Sequence, residues 1–449
     1  MRQNNRHARQ EWNEMRDDMV RLVKTALFAL AMLVMCVIGL LWFLRPETSL
    51  IERRTLTAFP KITLQSFWDG SFFGGVDTWY ADTYPLREKL ISANQSLESH
   101  YGIRTAQIVG NVQIADAIPD LDATPDPAAT ATPTPVPTPT PVPDGTVHEL
   151  GEMVGGVYIT DNCAYGLYYF SQSAADSYID TMNQIYENVG DMVNLYVMCV
   201  PQSARVMVDD AVLDDMGCSD EREAIEYLYS RMDPGIQTIS VFDNLRAHNA
   251  EYIYFHTDHH WTQLGAYYAY QEYCKVKNWE PHSLSDFETM TFAENEFLGS
   301  FYASSNQSPE LAVNPDTVYA WVPNGTNDMN MIIQGGAEWN VHIIGNDAGY
   351  DNSSTYMIFS GADRPFAHAH NDNFNNGSAV MVIKDSYGNA FMPWLIDHYE
   401  DIYWVDFRYT DNTVSQMVED YGVDDVIYAI ATANATNGLC NDLFLGIGQ

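Results

Sequence analysis

Two polar clusters carry the residue types of acyl-transfer chemistry: Asp258-His259-His260-Trp261 and Lys384-Asp385-Ser386-Tyr387-Gly388-Asn389. A serine hydroxyl is a poor nucleophile at neutral pH and needs an adjacent base. Asp258-x-His260 supplies a pair for that task. The carboxylate can hold one imidazole nitrogen and stabilise the imidazolium, while the other nitrogen takes the serine proton. A spacing of two puts both side chains on one face of an extended segment. The motif is too short to be specific by itself, and plainer roles compete: His260 as a satisfied core histidine, Ser386 as a helix N-cap, Asp258 as a turn residue.

Both clusters follow strand-like runs. EYIYFHT (251–257) leads into Asp258, and a helix from Thr262, as N-cap, to about Val276 follows. SAVMVI (378–383) leads into the serine cluster, with a helical stretch to about His398 behind it. A serine on such a turn projects outward, and the helix start offers free N–H groups to a developing oxyanion, the logic of a nucleophile elbow without its usual spelling. VNLYVMCV (193–200), DIYWVDF (401–407) and DDVIYAI (424–430) are further strands, with an amphipathic helix over about 412–420 between the last two. Strands alternating with helices predict an α/β fold, a parallel sheet with helices on both faces, whose ligands sit at the carboxyl edge. Residues 282–377 break the pattern and read as a loop-rich, partly β insertion.

Of the 82 charged residues 60 are Asp or Glu, and the formal balance is −38. Seven of the cations lie in the first 45 residues, so the rest of the chain carries −41. Such a body repels phosphate backbones, and no nucleic-acid partner is expected. Residues 25–44 are twenty without a charge, long enough to span a bilayer as a helix. Six Lys or Arg precede them and WFLRPETSL offers no signal cleavage site, which predicts an uncleaved single-pass anchor with residues 1–24 cytoplasmic and the body outside. Residues 119–143 hold nine of the twenty prolines in Thr-Pro alternation, which cannot join a core. A spacer over 119–146 therefore separates a juxtamembrane segment, 45–118, from a main domain, 147–449. The five cysteines beyond Cys36 show no CxxC spacing, which speaks against a zinc ribbon or a thioredoxin motif.

Histidines invite a metal reading, in His256-x-Asp258-His259-His260 and in His368-x-His370-x-Asp372. Three such ligands and an open water position would make a hydrolase, but the second group reads as loop histidines and no metal or other cofactor is expected. The 28 Tyr and 10 Trp serve a core, and exposed rings would also suit sugar faces. Lys384 and Arg408 are the candidates for basic residues in the cleft.

The tetrad DHHW followed by Thr262-x-x-Gly265-Ala266-Tyr267, and the later Ile383-Lys384-Asp385-Ser386-Tyr387-Gly388-Asn389, resemble the DHHW proteins of Gram-positive bacteria. That group is similar to the alginate O-acetyltransferase family, whose catalytic domains are SGNH-hydrolase-like. Glu52-Arg53-Arg54-x-Leu56-x-x-Phe59-Pro60, Tyr80-x-Asp82-x-Tyr84-Pro85-Leu86-Arg87 and Asp406-x-Arg408-Tyr409 extend the resemblance over most of residues 50–430, apart from the spacer. It implies an SGNH-hydrolase-like (flavodoxin-like) sheet in which Asp258 orients, His260 is the base and Ser386 the nucleophile. His259 would face away, and Trp261 would pack beneath the base or stack on a sugar. The activity implied is serine O-acetyl transfer or ester hydrolysis on a cell-surface polysaccharide, with a membrane-bound O-acyltransferase as acetyl donor. A catalytically idle carbohydrate-binding protein of the same fold is the alternative. It is favoured by one departure: relatives often carry G-G-N where this chain has Ser360-Gly361-Ala362-Asp363, so an oxyanion donor would come from backbone N–H near Ser386 or from another amide, with Asn346 the one singled out.

Overall fold

The long apolar runs of the sequence form the middle of an eight-stranded sheet. The computed structural model describes residues 144–448 other than 334, 335 and 411, and before them 24, 45, 48–49, 54–55, 58–62, 71–85 and 115–119. The expected anchor 25–44 and nearly all of the Thr-Pro spacer lie outside these. Among the described residues no helix is long and apolar enough to cross a membrane. The chain divides into two units, Met1–Arg104 and Thr105–Gln449. In the first, the Arg45 guanidinium lies 3.7 Å above the Trp79 ring of the helix Ser71–Asp82 and donates to Thr83 Oγ1 at 2.6 Å. The second begins earlier than the sequence boundary at 118, because residues 115–119 are bonded to it. Asp116 N donates to Phe170 O, and its carboxylate accepts from Gln172 N, both at 2.9 Å.

The strands of the large sheet are β1 (Asn194–Val200), β2 (Gln237–Thr238), β3 (Asp328–Ile332), β4 (Glu338–His342), β5 (Phe366–His370), β6 (Ala379–Lys384), β7 (Asp401–Asp406) and β8 (Asp425–Ala431). Their spatial order is β4-β3-β5-β7-β6-β8-β1-β2. From β7 to β2 every pairing is parallel, whereas β3, β4 and β5 join antiparallel beyond β7. The three antiparallel strands come from the stretch that reads as loop-rich, and they correct the all-parallel expectation. A flavodoxin-like order, 2-1-3-4-5, is also corrected. Here the last strand, β8, enters between β1 and β6. All seven of its residues are buried, so it needs a covered position with a neighbour on each side.

The principal helices are α1 (Gln172–Val189), α2 (Glu221–Ser230), α3 (Gln263–Lys277), α4 (Gly388–Phe391), α5 (Val414–Tyr421) and α6 (Gly438–Ile447). α1 and α6 meet through the Tyr178 and Phe444 rings, 5.4 Å apart, and α3 meets the turn after α4 through Tyr267 and Trp394, 5.1 Å apart. Thr262 caps α3 as expected, its hydroxyl accepting from Gly265 N. The stretch behind Ser386 is shorter than a helix to His398. One α turn passes at Met392 into a 3₁₀ turn, Met392–Leu395, where Pro393 cannot donate to a longer ladder.

Segment 251–257 is not a strand of any sheet, which corrects the sequence reading. Its one bridge joins Tyr254 to Trp261, and the chain between folds back on itself, with Phe255 N donating to His260 O. Two of the backbone groups that a sheet would have paired are taken by a distant side chain. The buried Asp316 carboxylate accepts from His256 N and Thr257 N at 2.8 Å and from Thr257 Oγ1 at 2.6 Å. The Asp258–His260 loop is thereby fixed without a ladder.

Candidate active site

Ser386 stands on the turn that follows β6, at the carboxyl edge of the parallel strands. Asp385 shapes this turn. One carboxylate oxygen accepts from Tyr387 N at 2.9 Å, and the other accepts from Ala431 N at 2.8 Å and Asn434 Nδ2 at 2.7 Å, tying the turn to the end of β8. Gly388 is needed just behind it, because a Cβ there would lie 2.5 Å from the Cβ of Lys384.

The structure brings together all three residues singled out by the sequence. His260 Nε2 lies 2.7 Å from Ser386 Oγ, and His260 Nδ1 lies 2.5 Å from Asp258 Oδ1. Asp258 Oδ1 also accepts from His260 N at 3.0 Å, and Oδ2 accepts from Ser300 N at 2.8 Å. Gly299 leaves room for that approach, since a Cβ there would fall 2.4 Å from Asp258 Oδ2. Burial pushes the Asp258 carboxyl up, but the imidazoles of His260 and His259 and the bonds to it outweigh this and hold it well below the usual carboxylate range. It is therefore an anion suited to stabilising an imidazolium.

Tyr356, which the sequence reading did not single out, completes the arrangement. Its ring stacks on His260 with centroids 3.8 Å apart and planes within 8°, and its hydroxyl donates to Ser386 O at 2.7 Å. One side chain thus fixes both the plane of the base and the backbone of the serine turn. The run Tyr356-x-x-Phe359 gives no sign of this role, because both partners lie far from Tyr356 in sequence. Trp261 is fully buried and donates from Nε1 to Tyr387 O at 2.9 Å, so it packs below the site and is closed to a sugar. His259 turns away from the serine toward Ser300, 2.5 Å from Nδ1 to Oγ. Burial and repulsion from His260 push its imidazole down to about 4.

Among the described residues the backbone N–H of Ser386 has no hydrogen-bond partner, which makes it a ready oxyanion donor. Asn346 is not available for that role. Both ends of its amide bond to Tyr350, closing a local turn. Asp363, at the position of the missing amide, instead joins a charge network. Its carboxylate lies 3.0 Å from Arg408 Nη2 and 3.5 Å from Lys384 Nζ, and Arg408 also grips Asp406 with two bonds. Burial pushes the Asp363 carboxyl up, but Lys384 and Arg408 outweigh that and depress it strongly. Lys384 is wholly buried and does not line a cleft, which corrects the expectation for it. Arg408 stays partly exposed but is committed to its two carboxylates.

The two histidine groups do not meet, so they cannot form one metal centre. His368 and His370 lie on β5 and bond to Asp401 at the start of β7, whereas Ser386 follows the end of β6. In the β6–β7 register Ala379 faces Asp401 and Lys384 faces Asp406, so the two places are separated by roughly 17 Å of strand. Asp258, His259 and His260 also lie close enough together for one ion. Both His260 ring nitrogens, however, are already held by Asp258 and Ser386. The five described cysteines are free thiols.

Fold and site together define an α/β protein with a serine–histidine–aspartate hydrogen-bond chain at the carboxyl edge of its parallel strands. The family model described as DHHW protein matches residues 52–127 and 138–405, and the chain belongs to the DHHW family. A DHHW family protein of Eubacterium siraeum has a similar structure, 27% identical with a TM-score of 0.58, covering 65% of this chain and 96% of that one. PatB1 of Bacillus cereus, solved with a sulfonyl adduct, is 16% identical with a TM-score of 0.54, covering 64% of this chain and 97% of that one. The O-acetyltransferase domain of Pseudomonas putida AlgJ aligns more distantly, at 12% identity and a TM-score of 0.34, covering 65% of this chain and 98% of that one. Among curated proteins none matches by sequence.

Proposed function

We propose that this chain is a membrane-anchored, extracytoplasmic serine O-acetyltransferase or esterase acting on a cell-surface polysaccharide through an acyl-enzyme. The observation that carries the reading is the unbroken chain from Ser386 Oγ through His260 to the depressed Asp258 carboxylate. Ser386 Oγ adds to the acyl carbonyl carbon as its proton passes to His260 Nε2. Asp258 holds the Nδ1 proton and stabilises the imidazolium. The N–H of Ser386 meets the oxyanion. Collapse breaks the bond to the donor's oxygen, which takes the proton back from His260. A sugar hydroxyl or water then gives its proton to Nε2 and attacks the acyl-serine carbonyl; the bond to Ser386 Oγ breaks, and Oγ takes the proton from Nε2, which frees Ser386 and His260. The anchor rests on the charge-free run 25–44, and a membrane-bound O-acyltransferase is the proposed source of the acetyl group. Neither step calls on a cofactor.

A second reading, a carbohydrate-binding protein with idle chemistry, is favoured by Asp363, which puts a carboxylate where relatives carry an amide. Turnover of a chromogenic acetyl ester by the full chain separates the two. The enzyme reading expects a burst and steady turnover that Ser386→Ala abolishes. Equal rates in both proteins would contradict it and leave the binding role.

A further inference from the structure

We infer that His368, His370 and Asp401 form a binding site for one divalent metal ion of the zinc class, at the end of the sheet away from Ser386. The sequence assigned these histidines to a loop, but they occupy β5. There, a spacing of two sends both rings to the same face. In the antiparallel β5–β7 register His370 faces Asp401 and His368 faces Tyr403. As a result both imidazoles reach one carboxylate oxygen: His368 Nε2 is 2.7 Å and His370 Nδ1 2.8 Å from Asp401 Oδ1.

Two nitrogens and one oxygen converging from two strands are the donor set of a site that keeps a position open. Zinc–nitrogen and zinc–oxygen bonds of about 2.0–2.2 Å need only a small opening of the present cluster, the ion taking the place of the two protons now shared with Asp401. The rings are held in the required pose. His368 stacks on Tyr403 with centroids 4.5 Å apart and planes within 12°. His370 turns its other nitrogen toward Asp372, at 3.5 Å, the outer carboxylate that commonly orients a metal-bound imidazole.

Access and field agree with this reading. The side chains of His368, His370 and Asp401 are 32%, 45% and 26% exposed, so an ion can enter from solvent. His368 and His370 border a cavity of about 610 Å³ that His342, Asp328, Asp347 and Asp372 also line, and the chain beyond residue 45 carries −41. A cation is drawn to such a wall. Bound there, it would clip the antiparallel extension to the parallel half of the sheet.

The test is a titration of the purified full chain, stripped by chelator, with Zn²⁺ against a chromogenic competitor. One tightly held ion per chain is expected, with a rise of several degrees in melting temperature. His368→Ala/His370→Ala should weaken binding at least 100-fold and remove the thermal shift, and Asp401→Asn should weaken it 10- to 100-fold. His260→Ala should retain the ion, which separates this cluster from the one beside Ser386. His370→Gln, at a nearly half-exposed position, repeats the test should the double variant unfold. Absence of stoichiometric binding, or binding that survives loss of His370, would overturn the assignment.

Discussion

Each end of the large sheet holds two histidines and an aspartate, and the two groups are built for different work. Near Ser386 the carboxylate, an imidazole and a hydroxyl stand in single file, Asp258 and His260 buried and Ser386 half-buried, with each His260 nitrogen given one partner. At the far end one carboxylate oxygen faces two imidazoles at once, and the wall is open to solvent. A file moves a proton along its length, whereas a fork gathers donors around a point. Residue types alone do not separate the two cases; burial and the position of the carboxylate do.

The largest expected effect breaks the file at its end. Ser386→Ala should lower acetyl-ester turnover to background, a loss on the order of 10⁶-fold if the three residues act as a unit, with Zn²⁺ binding at the far end unchanged. Asp258→Asn should cost roughly 10⁴-fold in kcat by leaving His260 without its orienting anion, while Asp401→Asn should leave turnover within about twofold. Comparable losses in the two Asp variants would erase the distinction between the clusters. Tyr356→Phe keeps the ring on His260 and removes the bond to Ser386 O. About a tenfold fall in kcat is expected, with roughly 1 kcal/mol of stability lost in a denaturant titration.

The smallest effect concerns Glu221, buried at the start of α2. Burial pushes its carboxyl up to about 8. The folded state therefore favours its protonated form, and stability from this group is fully present below the ordinary carboxylate range. That stability is lost as pH rises from about 4.5 to 8, with no further change above. Glu221→Gln should flatten the decline of melting temperature across that window and leave the Ser386 chemistry intact. An unchanged profile would show that Glu221 stays ionised.

Local signals placed Ser386, His260 and Asp258 at polar turns, and the resemblance to the DHHW proteins supplied their pairing and roles. An apolar run ends in a polar turn before Ser386, and Thr262 caps a helix two residues after His260. The braces were not legible, because each acts across a long stretch of chain. Asp316 replaces a sheet ladder for residues 256 and 257, Ser300 N holds Asp258, and Tyr356 spans His260 and Ser386. The run EYIYFHT has the composition of a strand, and its backbone bonds to Asp316, His260 and Thr262 make it a loop. β3, β4 and β5 escaped for the opposite reason. DMNMI, EWNVH and FAHAH are short and half polar, and their place in the sheet, β5 on β7, β3 on β5 and β4 on β3, comes from pairing rather than from apolar content.

An acyl-enzyme route requires that Ser386 carry an acyl group during turnover. Intact-mass and peptide mapping of the full chain, quenched soon after mixing with an acetyl ester, test it most directly. One acetyl group per chain is expected, on the peptide that contains Ser386, absent from Ser386→Ala and decaying when a sugar acceptor or water is given time to react. A chain that turns over the ester without acetylation at Ser386, or that acetylates equally in Ser386→Ala, would contradict it.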